Sequence, residues 1–231
     1  YKQLEKQNTI FADSSIYEKT FKYAHEKNNQ KLINANMIGI PLETTVVKKQ
    51  NASDQGKTIS RTETKYDNAA NLFPSSVVSY DLQNIASTEV TYDQYDNKGN
   101  LQQYTTKDGI PTAIVWGYNQ AQPIAKITGA TYAQVSSLAA AIISASDLDA
   151  SNPSTEPALI TALDNFRKDS TMAGYQVTTY TYDPLIGVTS ITPPSGIREV
   201  YLYDTANRLK EIRENSATGK LLKEFKYNYK N

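Results

Sequence analysis

The sequence predicts a mainly β fold in which antiparallel hairpins follow one another and one α-helical hairpin is inserted among them. Three observations predict it. Tyrosine is in excess, 17 residues against 5 Phe and 1 Trp, and it suits a sheet with one wet face because its ring packs while its hydroxyl reaches water or a backbone partner. A Tyr followed by Asp or Asn, with an aliphatic residue six positions after the Tyr, recurs five times: "YDNAANL" at Tyr66, "YDNKGNL" at Tyr95, "YNQAQPI" at Tyr118, "YDPLIGV" at Tyr182 and "YDTANRL" at Tyr203. Only one stretch, 129–174, carries strong helical spacing.

In chain order, residues 1–56 form an N-terminal segment with a short helix and the first strands. No period assigns an element to the first 25 residues. "NQKLINANMIGIP" holds the short helix, ended by Gly39 and Pro41, and "LETTVVKK" and "KTISRTETKYD" flank the turn "QNASDQG" as a hairpin.

Residues 57–128 and 175–231 are the repeat hairpins. In each window Asp, Asn, Gly and Pro supply local hydrogen bonds and permissive backbone angles for a tight turn. Tyr66 with Asp67, Tyr95 with Asp96 and Gly99, Tyr118 with Asn119, Tyr182 with Asp183, and Tyr203 with Asp204 and Arg208 are therefore structural turn residues. Around Tyr203, "REVYLYD" and "RLKEIRE" alternate with period two, as half-buried strands do. Tyr95 to Tyr118 is 23 residues and Tyr182 to Tyr203 is 21, about two strands and two turns. Tyr66 to Tyr95 is longer and contains an extra "SYDLQN" at Tyr80.

The 64 residues from Tyr118 to Tyr182 contain the helical insertion, 129–174. Thr131 and Gln134 have capping-box spacing, with Tyr132, Val135, Leu138 or Ala139, and Ile142 following, so the first helix is expected over about Thr131–Ser144. A polar link, "SDLDASNPS", leads to the cap Thr155-Glu156-Pro157 and a stripe of Leu159, Ile160, Leu163 and Phe166, with Gly174 as a stop. The last strand, "KLLKEFKYNYK", is expected to have an open outer edge unless something covers it.

The windows "YDTANRLKEI", "YDNKGNLQQYTTKDG" and "YTYDPLIGVTSITPPSG" resemble the tyrosine–aspartate (YD) repeats of RHS proteins, over about Lys57 to Asn231 apart from the insertion. The Lys/Asn/Tyr-rich style is similar to RHS-like chains of Bacteroidota. Gly holds its usual turn place only at Gly99, and the usual Arg only at Arg208, so the repeats are degenerate. The resemblance implies a curved or spiralling sheet that forms part of a hollow shell, as in RHS toxins, toxin-complex cocoons and teneurins. It also implies that the repeats enclose or display a cargo polypeptide, carry no chemistry, and belong to a larger secreted or surface protein. The partners implied are the rest of that chain or the cargo, with a secretion apparatus or a surface glycan as further candidates.

Composition narrows the alternatives. Lys+Arg 24 balances Asp+Glu 24, giving no basic surplus for a phosphate backbone, so nucleic acid is not an expected partner. Cys is absent, which removes disulfides and thiolate metal sites. No run is apolar enough to span a bilayer and "YKQLEKQNTI" has no signal-peptide core, so an export signal is expected outside this sequence. No cofactor motif is visible.

Each candidate for chemistry has a simpler reading. Asp183 is a candidate self-cleavage carboxylate, since RHS cores often end in an aspartate-based processing region. It also holds the ordinary Asp place of a repeat, with further repeats after it and no second acid in matching context. Asp147, Asp149 and Ser151 begin like a calcium loop, but Asn152 stands at the sixth position and Ala158 at the twelfth. His25 is the single histidine, and no second His or Cys completes a common metal set. Asn51 meets a glycosylation pattern inside a turn. Trp116 with Tyr118 and Tyr201 with Tyr203 form aromatic pairs that pack a sheet or, in an adhesin reading, bind glycan or protein. An enzyme is not expected.

Overall fold

Period-2 patterning and local turn chemistry set the topology. The computed structural model describes residues 3–228, and among these it contains fourteen strands and three α-helices. The strands are β1 (Lys6–Ile10), β2 (Ile16–Lys22), β3 (Glu43–Lys49), β4 (Lys57–Lys65), β5 (Ser76–Tyr80), β6 (Ala86–Tyr95), β7 (Leu101–Thr106), β8 (Pro111–Gly117), β9 (Gln122–Thr128), β10 (Gln176–Asp183), β11 (Gly187–Thr192), β12 (Glu199–Tyr203), β13 (Leu209–Glu214) and β14 (Leu221–Glu224). The helices are α1 (Gln30–Asn34), α2 (Tyr132–Ser151) and α3 (Glu156–Lys168). The strands lie in one mainly antiparallel sheet in chain order, so every connection stays local.

The chain divides into two compact units, one comprising the chain to Asp93 with Thr105–Gly109, the other Gln94–Tyr104 with the chain from Ile110. In the first, β1 and β2 occupy the segment without a readable period. All of β1 is exposed, so its pairing with β2, from Lys6 opposite Thr20 to Ile10 opposite Ile16, needs no hydrophobic alternation. α1 begins where the Asn29 side chain accepts a hydrogen bond from Leu32 N at 3.1 Å. Leu32 is fully buried against Ala24, Leu42 and Tyr66, a burial that stabilises by about 2 kcal/mol.

In the second unit α2 and α3 lie between two sheet neighbours, β9 and β10, which pair from Gln176 opposite Thr128 to Thr179 opposite Ala125. Thr131 N donates to Gln134 Oε1 at 2.8 Å and starts α2. The helix is longer than its sequence pattern, ending at Ser151 instead of near Ser144. Its buried face passes from Val135, Ala139 and Ile142 to Ser146 and Asp149, so the helical period continues in polar residues and "SDLDAS" is helix, not link. Leu159, Leu163 and Phe166 of α3 join the same core, closing on Val115, Ile124, Ile127 and Val177 of the sheet.

Register shifts fall between Thr181 and Tyr182 and between Leu202 and Tyr203, immediately before two of the repeat tyrosines. Such bulges increase local twist and re-aim the side chain that follows. β14 is shorter than the expected final strand, ending at Glu224; Tyr229 and Lys230 of that expected strand lie outside the described residues.

Candidate functional site

All five windows fall at connections between consecutive strands: Tyr66 follows β4, Tyr95 ends β6, Tyr118 follows β8, Tyr182 lies at the end of β10, and Tyr203 ends β12. In two of them the Asp organises the turn in the same way. Asp96 Oδ1 accepts from Lys98 N at 2.9 Å and Asn100 N at 2.8 Å. Asp204 Oδ1 accepts from Ala206 N at 2.8 Å and Arg208 N at 3.0 Å. Asp81, after Tyr80, makes the same pair to Gln83 N and Ile85 N, at 2.9 and 2.8 Å. The third residue after each Asp has positive φ: Asn84 at 63°, Gly99 at 88° and Asn207 at 57°. Asn and Gly tolerate that left-handed backbone. At Asp204 the guanidinium of Arg208 adds an ion pair at 2.7 Å and, with the two backbone bonds, holds the carboxyl below its usual range.

The other windows vary the theme. Among the described residues the Asp183 carboxylate accepts from one backbone group, Leu185 N, at 2.8 Å. Asp67 N donates to Ser75 Oγ at 3.0 Å, and the Lys31 ammonium gathers this loop by donating to the carbonyls of Tyr66, Asn68 and Asn71 at 2.7, 2.8 and 3.0 Å.

At the fifth window Tyr118, Asn119 and Gln120 all have positive φ, 51°, 58° and 63°. Such a run is strained for non-glycine residues and persists only where surroundings enforce it. Here α2 enforces it: Ser146 Oγ accepts from Tyr118 N at 3.2 Å and Asp147 Oδ1 from Asn119 N at 2.6 Å. Tyr118 Oη donates to Asp149 Oδ2 and accepts from Tyr182 N, both at 2.8 Å. The two tyrosine rings meet edge to face at 5.5 Å. Asp149 is 2 % exposed and its Oδ1 has no hydrogen-bond partner among the described residues. Burial pushes the Asp149 carboxyl up; the Tyr118 hydroxyl opposes this, and the nearby Glu156 and Asp183 add to it. Burial also pushes the Tyr118 hydroxyl well above its usual range.

The aromatic pairs are engaged within the fold. Trp116 Nε1 donates to Leu101 O at 2.8 Å, Tyr201 Oη to Glu199 Oε2 at 2.8 Å, and Tyr203 Oη to Val188 O at 2.8 Å. Tyr118 is 3 % exposed and lies beyond the end of β8, while Trp116, Tyr201 and Tyr203 are half-buried. His25 is exposed, and Asn51 caps its own turn by accepting from Ser53 N at 3.0 Å.

Two arrangements had no sequence signal. On the first unit's sheet, Glu43 and Glu63 are 2 % and 5 % exposed. Lys22, Lys27 and Arg61 reach Glu43 at 2.9, 2.8 and 2.9 Å, and Lys27 and Lys65 reach Glu63 at 2.8 Å each. Burial pushes both carboxyls up, but the hydrogen-bonded cations outweigh it and hold each at about 2. In the second unit, Asp164, Arg167 and Lys168 of α3 line a pocket with Thr192, Gly196, Arg198 and Asn215.

Among the described residues no group of three or more His, Asp or Glu side chains is gathered to hold a metal ion, and no helix is long and apolar enough to cross a membrane. No family model matches the chain, and no curated protein matches it. Its backbone is similar to part of TcdB2-TccC3 without the hypervariable C-terminal region, with 11% identity and a TM-score of 0.40 over 93% of this chain and 11% of that chain. It is similar to part of TcdB2-TccC3-Cdc42 with 13% identity and a TM-score of 0.40, over 97% of this chain and 10% of that chain. Against the Tc holotoxin pore of Photorhabdus luminescens the identity is 11% and the TM-score 0.24, over 96% and 14%. The chain thus spans 10% to 14% of the length of these solved chains.

Proposed function

We propose that this chain is a non-enzymatic RHS/YD-repeat segment of a larger secreted or cell-surface bacterial protein, forming part of a β-shell that encloses or displays a polypeptide. One observation carries this reading. The Asp of the turns at Asp81, Asp96 and Asp204 gives its carboxylate to two backbone N–H groups of its own turn. A motif residue used that way is architectural, and repeating it extends a sheet hairpin by hairpin. The partners of such a segment are the neighbouring strands of its larger chain and the enclosed cargo. The alternative, a surface adhesin or binding module using Trp116, Tyr118, Tyr201 and Tyr203 as an exposed stripe, is less favoured, because Tyr118 is 3 % exposed and the other three are half-buried.

Light scattering with small-angle X-ray scattering on the purified chain tests the reading. β1 and β14 stand at the two ends of the strand order, and open edges pair with whatever strand is available. Concentration-dependent association, reduced by Leu222→Lys in exposed β14, is the expected result. A monodisperse chain at every concentration, unchanged by that substitution, would overturn it.

A further inference from the structure

We propose that the pocket between the last turn of α3 and the β11–β12 connection is an anion site for a phosphate group. This goes beyond the shell reading and does not depend on it. Arg167, Lys168 and Arg198 line the pocket with a single acid, Asp164, leaving two positive charges unmatched. A phosphate monoester is a dianion at neutral pH and matches them; a carboxylate leaves one over. The cavity, about 370 Å³, is larger than a phosphate and has room for part of the group that carries it.

The two guanidiniums are held rigidly by the fold. Arg167 Nη1 donates to the carbonyls of Val177 and, at 3.1 Å, Thr192, and Nη2 donates to Pro193 O at 2.7 Å. Arg198 Nε donates to Thr192 Oγ1 at 3.0 Å and Nη2 to Asp164 Oδ1 at 2.5 Å. Arg198 N donates to Asn215 Oδ1 at 3.2 Å, which brings the Asn215 amide to the pocket. Neither Arg198 Nη1 nor Lys168 Nζ has a hydrogen-bond or ion-pair partner among the described residues. Gly196, at φ 84°, has nothing within 4 Å of where a side chain would begin, so that wall stays open.

A purely structural reading explains part of this. Arg167 and Lys168 complement the carbonyl end of α3, and Arg167 ties α3 to the sheet. It does not explain why Lys168 and Arg198 line the same pocket as Arg167 with one acid among them. Burial works against the Arg167 charge; Asp164 favours it, and Arg198 opposes it again. An anion in the pocket relieves that repulsion, with Arg198 Nη1, held in place by the bonds of its own guanidinium, and Lys168 Nζ as the donors left to bind it.

The test is a nuclear magnetic resonance titration of the intact chain at constant ionic strength, following the arginine Nε–H signals and the Gly196 amide. Inorganic phosphate is expected to give saturable shifts, with acetate at least about tenfold weaker. Lys168→Gln, on the exposed end of α3, is expected to weaken phosphate binding about tenfold, and Asp164→Asn to strengthen it. O-phosphoserine binding more tightly than inorganic phosphate identifies an ester as the ligand; the reverse order identifies the free ion. Equal shifts with phosphate, acetate and chloride, or wild-type affinity in Lys168→Gln, would overturn the proposal.

Discussion

Tyr118 Oη donates a 2.8 Å hydrogen bond to Asp149 Oδ2, joining the strained turn after β8 to the buried face of α2. The same oxygen accepts from Tyr182 N, so one hydroxyl ties two repeat windows 64 residues apart to the inserted helices. The insertion is therefore keyed to the repeat, not simply tethered between β9 and β10. Tyr118→Phe leaves Asp149 and the Tyr182 N–H without this partner and is expected to cost about 1–3 kcal/mol, read as a lower midpoint in urea unfolding.

The pH dependence of that junction follows from Asp149, whose carboxyl is raised above its ordinary value of 3.8 by burial, against Tyr118, and by Glu156 and Asp183. Between 3.8 and the raised value the folded state binds more protons than the unfolded, so its stabilisation is complete below 3.8 and is lost as pH rises through the raised value. Asp149→Asn cannot titrate. Its thermal midpoint is expected to fall less than the wild type's as pH rises from mildly acid to neutral.

Glu43 and Glu63 have the opposite sign. Burial raises them, but Lys27 and their other cations bring both from 4.5 to about 2. Their contribution is present above 4.5 and is lost as pH falls toward 2. Glu43→Gln is expected to cost about 1–3 kcal/mol near neutral pH, because it removes the buried carboxylate that Lys22, Lys27 and Arg61 reach, and to flatten acid unfolding of the first unit. A wild-type acid limb in this variant would show that the cluster does not govern it.

What the sequence made legible follows from the range of each interaction. The turns at Asp96 and Asp204 are closed by bonds two and four residues long, so their composition announces them. The start of α2 was legible for the same reason, through Thr131 and Gln134. Its second half was not, because Ser146 and Asp149 are buried for hydrogen bonds to a turn about 30 residues away. Glu43 and Glu63 look like a wet strand face until β3 and β4 pair them directly opposite each other. The pocket at Arg167 and Arg198 draws on residues from 164 to 215, which no local pattern connects.

Asp204 and Asp183 occupy the same motif place and should differ on substitution. Asp204 serves two backbone N–H groups and Arg208, whereas Asp183 serves one backbone N–H. Asp204→Ala is expected to lower the midpoint of urea unfolding measurably more than Asp183→Ala does. Mass spectrometry of Asp183→Asn supplies a second check, since a turn residue leaves the intact mass pattern of the chain unchanged and a self-cleavage carboxylate does not.

Gly117 lies where Ser146 of α2 packs tightly against the end of β8. A Cβ there would stand 2.1 Å from Ser146 Oγ and 2.9 Å from Ile124 side-chain carbons, so the obstacle is contact, not backbone angle. Gly117→Ala must turn Ser146 Oγ out of its bond with Tyr118 N, push α2 away or displace Ile124, and overpacking of this kind costs about 1–3 kcal/mol. Ser146→Gly removes the nearer atom at the price of the Tyr118 N bond, and with it Gly117→Ala should cost measurably less than in the wild-type background. Additive losses in this double-mutant cycle would mean that Ile124 sets the approach; a positive coupling identifies Ser146, which accepts from the strained turn, as the residue that does so.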